Sequence, residues 1–155
     1  MKKNLIKKSD LPALLKKLKR NKQKIVFTNG VFDILHRGHV EYLAKAKSFG
    51  DVLILGLNSD ASVKRLKGTN RPINKQLDRA IVLLSLESVD YVVSFSEDTP
   101  QKLIAAVKPD VLVKGADYKI SEIVGAEFVL SHGGSVKTVK LTKGRSTTNT
   151  IKKMN

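Results

Sequence analysis

Apolar positions along the chain recur with two different periods, and the two take turns. Leu11, Leu14, Leu15 and Leu18 fall at i, i+3, i+4 and i+7, which predicts an amphipathic helix whose other face is Lys and Arg. Ser9 or Asp10 can cap it, and Pro12 suits its first turn. Ile25-Val26-Phe27 reads as a buried strand within Lys24 to Thr28, ended by Asn29-Gly30. A second helical pattern starts at Gly38, puts Val40, Leu43 and Ala44 on one face and stops at Gly50. Val52 to Leu57 is a continuous apolar strand, the kind found where helices cover both faces of a sheet. Leu77, Ala80, Ile81 and Leu84 mark a further helix, and Tyr91 to Phe95 a further strand. Thr99-Pro100 starts a helix with Leu103, Ile104 and Val107 on its apolar face, ended by Pro109. Val111-Leu112-Val113 is the fourth strand, Glu122 to Leu130 a helix, Val136 to Leu141 the fifth strand, and Ser146-Thr147-Thr148 opens a last short helix.

Five strands interleaved with helices predict a doubly wound α/β layer structure with a parallel sheet. Ligands of such folds sit beyond the carboxyl ends of the strands, so the polar residues there are the ones to read. They are Thr28-Asn29-Gly30, Asn58-Ser59-Asp60, Lys114 to Tyr118, and Gly144 to Thr148.

Composition narrows the chemistry. The 155 residues suit one domain and contain no cysteine, which removes disulfides, thiolate metal sites and thiol nucleophiles. No apolar run approaches the ~20 residues of a membrane-spanning helix, and a soluble, cytoplasmic chain without a membrane partner is expected. Lys and Arg number 29 against 14 Asp and Glu, a net charge of +15 that asks for an anionic partner. The basic residues are spread along the whole chain, and with 5% aromatics and no Trp, platforms for nucleic-acid bases are scarce. Nucleic acid is therefore not the expected partner.

The segment after the first strand is the most unusual. His36 and His39, two of only three histidines, stand three residues apart at a helix start with Gly38 between them. That spacing puts both imidazoles on one face, beside the free N–H groups and positive dipole end of a helix N-terminus, which makes a socket for phosphate. Gly38 keeps the space beside the backbone open. No nucleophile elbow, Walker-type loop or dinucleotide glycine turn is present, so a site that clamps phosphates while one substrate attacks another is expected. His132, before Gly133-Gly134, reads as a loop residue without a role.

Asn29 to His39 resembles the H-x-G-H signature of the nucleotidyltransferase superfamily, and Ser146-Thr147-Thr148 resembles its second signature, a Ser-Thr pair opening the last helix. From about Lys24 onward, Asn58 to Gly68, Arg71-Pro72, Glu97 to Pro100, Lys114 to Tyr118 and Ser146 to Ile151 together look like the heptose 1-phosphate adenylyltransferase family, in its free-standing form without a sugar kinase half. The resemblance implies a Rossmann-like three-layer α/β/α nucleotidyltransferase fold with a mostly parallel five-stranded sheet. One domain over 1–155 is expected, with 1–23 as an N-terminal helical extension.

The activity it implies is adenylyl transfer from ATP to D-glycero-β-D-manno-heptose 1-phosphate, giving ADP-heptose and pyrophosphate for lipopolysaccharide or other surface glycans. His36 and His39 are then the catalytic pair. Thr28, Asn29, Gly30, Phe32, Gly38, Lys114, Gly115, Asp117, Ser146, Thr147 and Thr148 join them around the nucleotide. Asp33, Asn58, Asp60, Lys67, Arg71 and Arg79 are candidates for the sugar phosphate. Asp33 has the alternative of fixing its loop, and Arg79 that of a solvent-facing helix position. Mg²⁺ is expected as the ATP complex, with no metal site made by the protein, and a homo-oligomer, in its simplest form a dimer, is expected. Glycerol-phosphate cytidylyltransferases carry an arginine shortly before the Ser-Thr signature, where this chain has Leu141, with Arg145 directly before Ser146. That speaks against CTP, although a cytidylyl- or guanylyltransferase acting on a related sugar or polyol phosphate remains the alternative within the fold, and a basic nucleic-acid-binding protein the alternative outside it.

Overall fold

The computed structural model describes residues 4–141 and 147–154. It is built on one six-stranded sheet of order β1-β4-β3-β2-β5-β6, with every described pairing parallel. The strands are β1 (Leu5–Ile6), β2 (Ile25–Gly30), β3 (Val52–Asn58), β4 (Tyr91–Phe95), β5 (Val111–Gly115) and β6 (Ser135–Val139). The helices are α1 (Leu11–Arg20), α2 (Arg37–Lys47), α3 (Asp60–Lys67), α4 (Gln76–Leu84), α5 (Gln101–Val107), α6 (Ala126–Ser131) and α7 (Thr147–Met154).

Two cores lie on the two faces of the sheet, and the period of two along each strand divides the side chains between them. Phe27, Ile54, Val93 and Leu112 join Leu11 and Leu18 of α1, Leu103, Ile104 and Val107 of α5 and Val129 of α6. Val26, Leu53, Leu55 and Val92 join Leu43 and Ala46 of α2 and Ala80 and Leu83 of α4. Every residue of β3 is buried, as its unbroken apolar run predicts. Strand order reverses between β2 and β5, which opens a crevice at their carboxyl ends.

Several elements differ from the expectation. In α2 the buried residues are Gly38, Tyr42, Leu43 and Ala46, with Val40 and Ala44 exposed, in α4 they are Arg79, Ala80 and Leu83, with Leu77 exposed, and β6 ends at Val139 and not at Leu141. The sheet has six strands and not five, because Leu5 and Ile6, within the segment expected to be helical, pair with Val92 and Val93. Two residues are too few to show a period, and it is the open edge of β4 that fixes them as a strand. α3 shows little pattern in the sequence because only Ser62 and Val63 of it are buried. α6 starts at Ala126 rather than Glu122: Gly125 before it has φ 87°, and a Cβ there would lie 2.6 Å from Ile104 Cδ1.

Candidate active site

The two histidines are fixed by the same turn they decorate. The Nδ1 atom of His36, the N-cap of α2, accepts the Gly38 amide at 3.1 Å, and the Nδ1 atom of His39 accepts the His36 amide at 3.3 Å. This is a reciprocal capping box with imidazoles in place of the usual hydroxyl and carboxylate. With Nδ1 accepting, each ring carries its proton on Nε2, which in His36 is buried. The rings stack at 3.9 Å and 22°, and Phe32 meets His39 edge-on at 5.3 Å. Burial, and then the neighbouring His36, lower His39 to a pKa of about 4, so it is neutral at pH 7.

Phe32 is held at φ 47°, an unusual conformation for a residue with a side chain. Its ring folds back over Gly30, where a Cβ would stand 2.7 Å from Phe32 Cε2. Beneath α2, Tyr42 and Thr28 share a buried hydrogen bond of 2.9 Å, and both also reach the carbonyl of Val113. Helix α2 is thereby tied to β2 and β5. Burial raises the Tyr42 phenol to about 12.

Asp33 and Arg79 clamp the loop between α3 and α4 onto the loop after β2. The Asp33 carboxylate accepts Arg71 Nε, the Ile73 amide and the Asn74 amide, each at 2.8 Å, while Asn74 Nδ2 donates back to the Asp33 carbonyl. Burial opposes this charge, but the amides of Asn74 and Ile73 and the Arg71 guanidinium outweigh it and hold the carboxyl below its ordinary range. Arg79, with a fully buried side chain, donates to the carbonyls of Asn74, Val31 and Asn58 and pairs with Asp60 at 2.8 Å. It faces neither solvent nor the cavity. Asp60 is occupied by the same pair.

A cavity of about 570 Å³ opens at the carboxyl ends of β2, β3 and β5. Of the residues expected there, its lining includes Asn29, Gly30, Phe32, Asp33, His36, Gly38 and His39 from the β2–α2 segment. Asn58, Lys67 and Arg71 stand on the β3 side and Lys114 on the β5 side. Thr28 lies behind the wall in the Tyr42 network, and Gly115, Asp117, Asp60 and Arg79 are not in the lining. Thr147 and Thr148 begin α7, and Ser146 lies outside the described residues. Burial lowers the Lys114 ammonium to about 8. Sequence reading missed Tyr42, whose position three residues after His39 was the available signal. It also missed Leu66 and Leu141 and gave Tyr118, within the segment Lys114 to Tyr118, no role of its own; the three form an exposed rim. The arrangement brings two imidazoles, of which His39 is neutral, a helix N-terminus and three cationic side chains to the wall of one space, which suits reactants carrying phosphates.

The comparisons agree with that chemistry. A family model described as cytidylyltransferase-like matches residues 27–152. The bifunctional protein HldE of Nitratiruptor sp. is 57% identical over 145 residues, covering 94% of this chain and 30% of the relative. That of Citrobacter koseri is 57% identical over 146 residues, covering 94% and 31%. The chain thus spans under a third of the length of these curated relatives. Among solved structures, the lipopolysaccharide core biosynthesis protein from Thermoplasma volcanium is similar at TM-score 0.62 and 32% identity, covering 79% of this chain and 99% of that one. The pantoate-β-alanine ligase from Francisella tularensis shares the fold at TM-score 0.62 and 18% identity, covering 92% and 69%. With its two histidines on the first turn of α2 and the family match running over most of its length, the chain belongs to the cytidylyltransferase-like family and is a nucleotidyltransferase.

Proposed function

We propose that the chain transfers the adenylyl group of ATP to the phosphate of D-glycero-β-D-manno-heptose 1-phosphate, releasing pyrophosphate. The observation that carries this reading is the imidazole capping box, which fixes His36 and His39 at a helix N-terminus in the wall of a cavity that Lys67, Arg71 and Lys114 also line. An oxygen of the acceptor phosphate attacks the α-phosphorus, and the bond from that phosphorus to the oxygen bridging to the β-phosphorus breaks. The attacking oxygen is already an anion, so no general base is required. His36 and His39 donate hydrogen bonds to the phosphate oxygens as negative charge shifts toward the leaving pyrophosphate. Lys114, on the β5 side, faces the nucleotide phosphates, and Lys67 and Arg71 face the acceptor phosphate. Asp33, Asp60 and Arg79 serve by holding the wall that carries Arg71. Thr147, with Ser146 before it, is assigned to the far phosphates of the nucleotide at the start of α7. Mg²⁺ enters as part of the nucleotide substrate, held by phosphate oxygens and water.

The resemblance to the HldE proteins and to a lipopolysaccharide core biosynthesis protein supports a heptose phosphate as acceptor. The test is pyrophosphate release with ATP, CTP or GTP, each with Mg²⁺ and heptose 1-phosphate, and with glycerol 3-phosphate as control acceptor. Release with ATP and the heptose phosphate alone is the expected result. Preference for another nucleotide overturns the choice of base, and silence across the panel overturns the reaction.

A further inference from the structure

Three helix-to-strand turns meet beyond the amino ends of β2, β5 and β6, at the opposite end of the sheet from the histidines. α1 reaches β2 through Lys22, α5 reaches β5 through Lys108, and α6 reaches β6 through Gly133. All three residues are left-handed, with φ of 55°, 50° and 82°. The turns enclose a cavity of about 980 Å³, larger than the catalytic one. Lys16, Lys19, Lys22, Lys24 and Lys108 stand around it, all exposed. Among the described residues its one lining carboxylate, Asp110, is engaged by the Ile25 amide at 2.8 Å. Among the described residues, none of the five ammonium groups has a carboxylate within ion-pair distance.

Lysines near helix C-termini complement the helix dipole, and that accounts for part of this charge. Each helix end carries about half a negative charge, so three ends and Asp110 offset about two and a half of the five positive charges. The backbone adds a second argument. Glycine takes the left-handed conformation freely and is the common residue just past a helix, whereas a lysine is strained there. At Lys22 and Lys108 the chain carries a cation where glycine suits the turn better, and both cations line the same cavity.

We propose that this cavity binds a small polyphosphate anion, independently of the catalytic cavity. A concave site of this volume suits a small ligand, and compact ammonium groups suit phosphate as point charges. Among the described residues its lining holds no Phe, Tyr or Trp, and the His132 ring there packs on Phe128 at 4.1 Å, so recognition rests on the phosphates and not on a stacked base. The inference does not depend on the reaction proposed above.

The test is a titration of the ¹⁵N-labelled chain with inorganic tripolyphosphate, following amide shifts alongside calorimetry. Two binding events are expected, one moving the amides of Lys22 to Ile25, Asp110 and Gly133 to Ser135, the other those of Gly30, Gly38 and His39. The double variant Lys22→Gly and Lys108→Gly removes two cations and relieves both left-handed residues, so its fold is not endangered. It should weaken the first event tenfold or more while leaving the second event and turnover unchanged. Shifts confined to the catalytic segment, unchanged binding by the double variant, or equal drift beside lysines over the whole surface each overturn the proposal. So does a short DNA duplex that moves the same amides more strongly than tripolyphosphate does.

Discussion

Asp33→Asn exchanges one oxygen for an NH₂ group at a side chain with no solvent exposure. The carboxylate accepts from three donors, Arg71 Nε and the Ile73 amide on one oxygen and the Asn74 amide on the other. An asparagine must turn its NH₂ toward one of those two sets. The better choice keeps the oxygen on Arg71 and Ile73 and sets NH₂ against the Asn74 amide, so one bond to a charged acceptor is lost, worth ~1.5–3 kcal/mol. The two bonds that survive lose their charge assistance as well. The expected destabilisation is about 3 kcal/mol, a large share of the ~5–15 kcal/mol available to a domain. Loosening of the wall that carries Arg71 should also raise KM for the acceptor more than KM for ATP. Because the folded carboxyl titrates below its ordinary range, its contribution is complete above the unfolded pKa of 3.8 and is lost progressively below it as pH falls through the folded one. Urea unfolding of both proteins at pH 7 and pH 3 measures this, with the gap between them narrowing at pH 3. A gap under 1 kcal/mol at pH 7 together with an unchanged acceptor KM would refute the clamp.

His39→Ala should lower kcat by ~10²–10³ with the fold retained, read from pyrophosphate release and from circular dichroism. As His39 is neutral above about pH 4, kcat should show no step from His39 between pH 5.5 and 7.5, and a step near pH 6.5 in wild type that is absent in His39→Ala would count against a neutral donor. Lys114 loses its charge as pH rises through about 8, so KM for ATP should climb above pH 8 in wild type and stay level in Lys114→Met, with steady-state kinetics from pH 7 to 9.5 as the check. Gly30→Ala places a Cβ 2.7 Å from the Phe32 ring, which must swing away from His39, and kcat should fall about tenfold while the melting temperature moves little.

What the sequence reveals and what it hides follow from the range of the interactions. The strands β2 to β6 and the helices α1 and α5 are legible because burying one or both faces imposes a period that local residues display. α2 and α4 are legible as helices but not in their buried faces, for Val40, Ala44 and Leu77 are exposed while Tyr42, Ala46, Arg79 and Leu83 are buried. β1 is too short for a period, and α3 buries too little to show one. At the site, the histidine turn is legible since its capping partners lie within three residues. Loop fixing is one of the two roles open to Asp33 and is the one the structure shows, but its partners Arg71, Ile73 and Asn74, like Val31 on the buried Arg79, lie 38 to 48 residues away and are not legible. A buried charge is defined by what surrounds it, and a sequence shows only the charge. Thr28 illustrates the same limit, for its hydroxyl is spent on Tyr42 and Val113 behind the cavity wall.

That spending of charges bears on how the site brings two anions together. Arg79 is paired with Asp60, and Arg71 gives its Nε to Asp33, so each of these guanidiniums carries its own counterion. His39 is neutral. Among the described residues, the cations of the cavity lining without a carboxylate partner are Lys67 at the end of α3 and Lys114 on β5, on opposite sides of the histidines in strand order. In the proposed reaction the two reactants each bring negative charge, and the cost of placing them in contact is chiefly their mutual repulsion. One unpaired lysine on each side lowers that cost for each reactant separately, while the α2 N-terminus and the Nε2–H donors between them act on charge that develops during transfer. Lys67→Ala should therefore act on the acceptor and Lys114→Ala on ATP, each mainly through KM, whereas loss of a histidine acts through kcat. If Lys67→Ala and Lys114→Ala both raise the same KM, the two sides of the cavity do not serve different reactants, and the assignment of acceptor and nucleotide to the β3 and β5 sides fails.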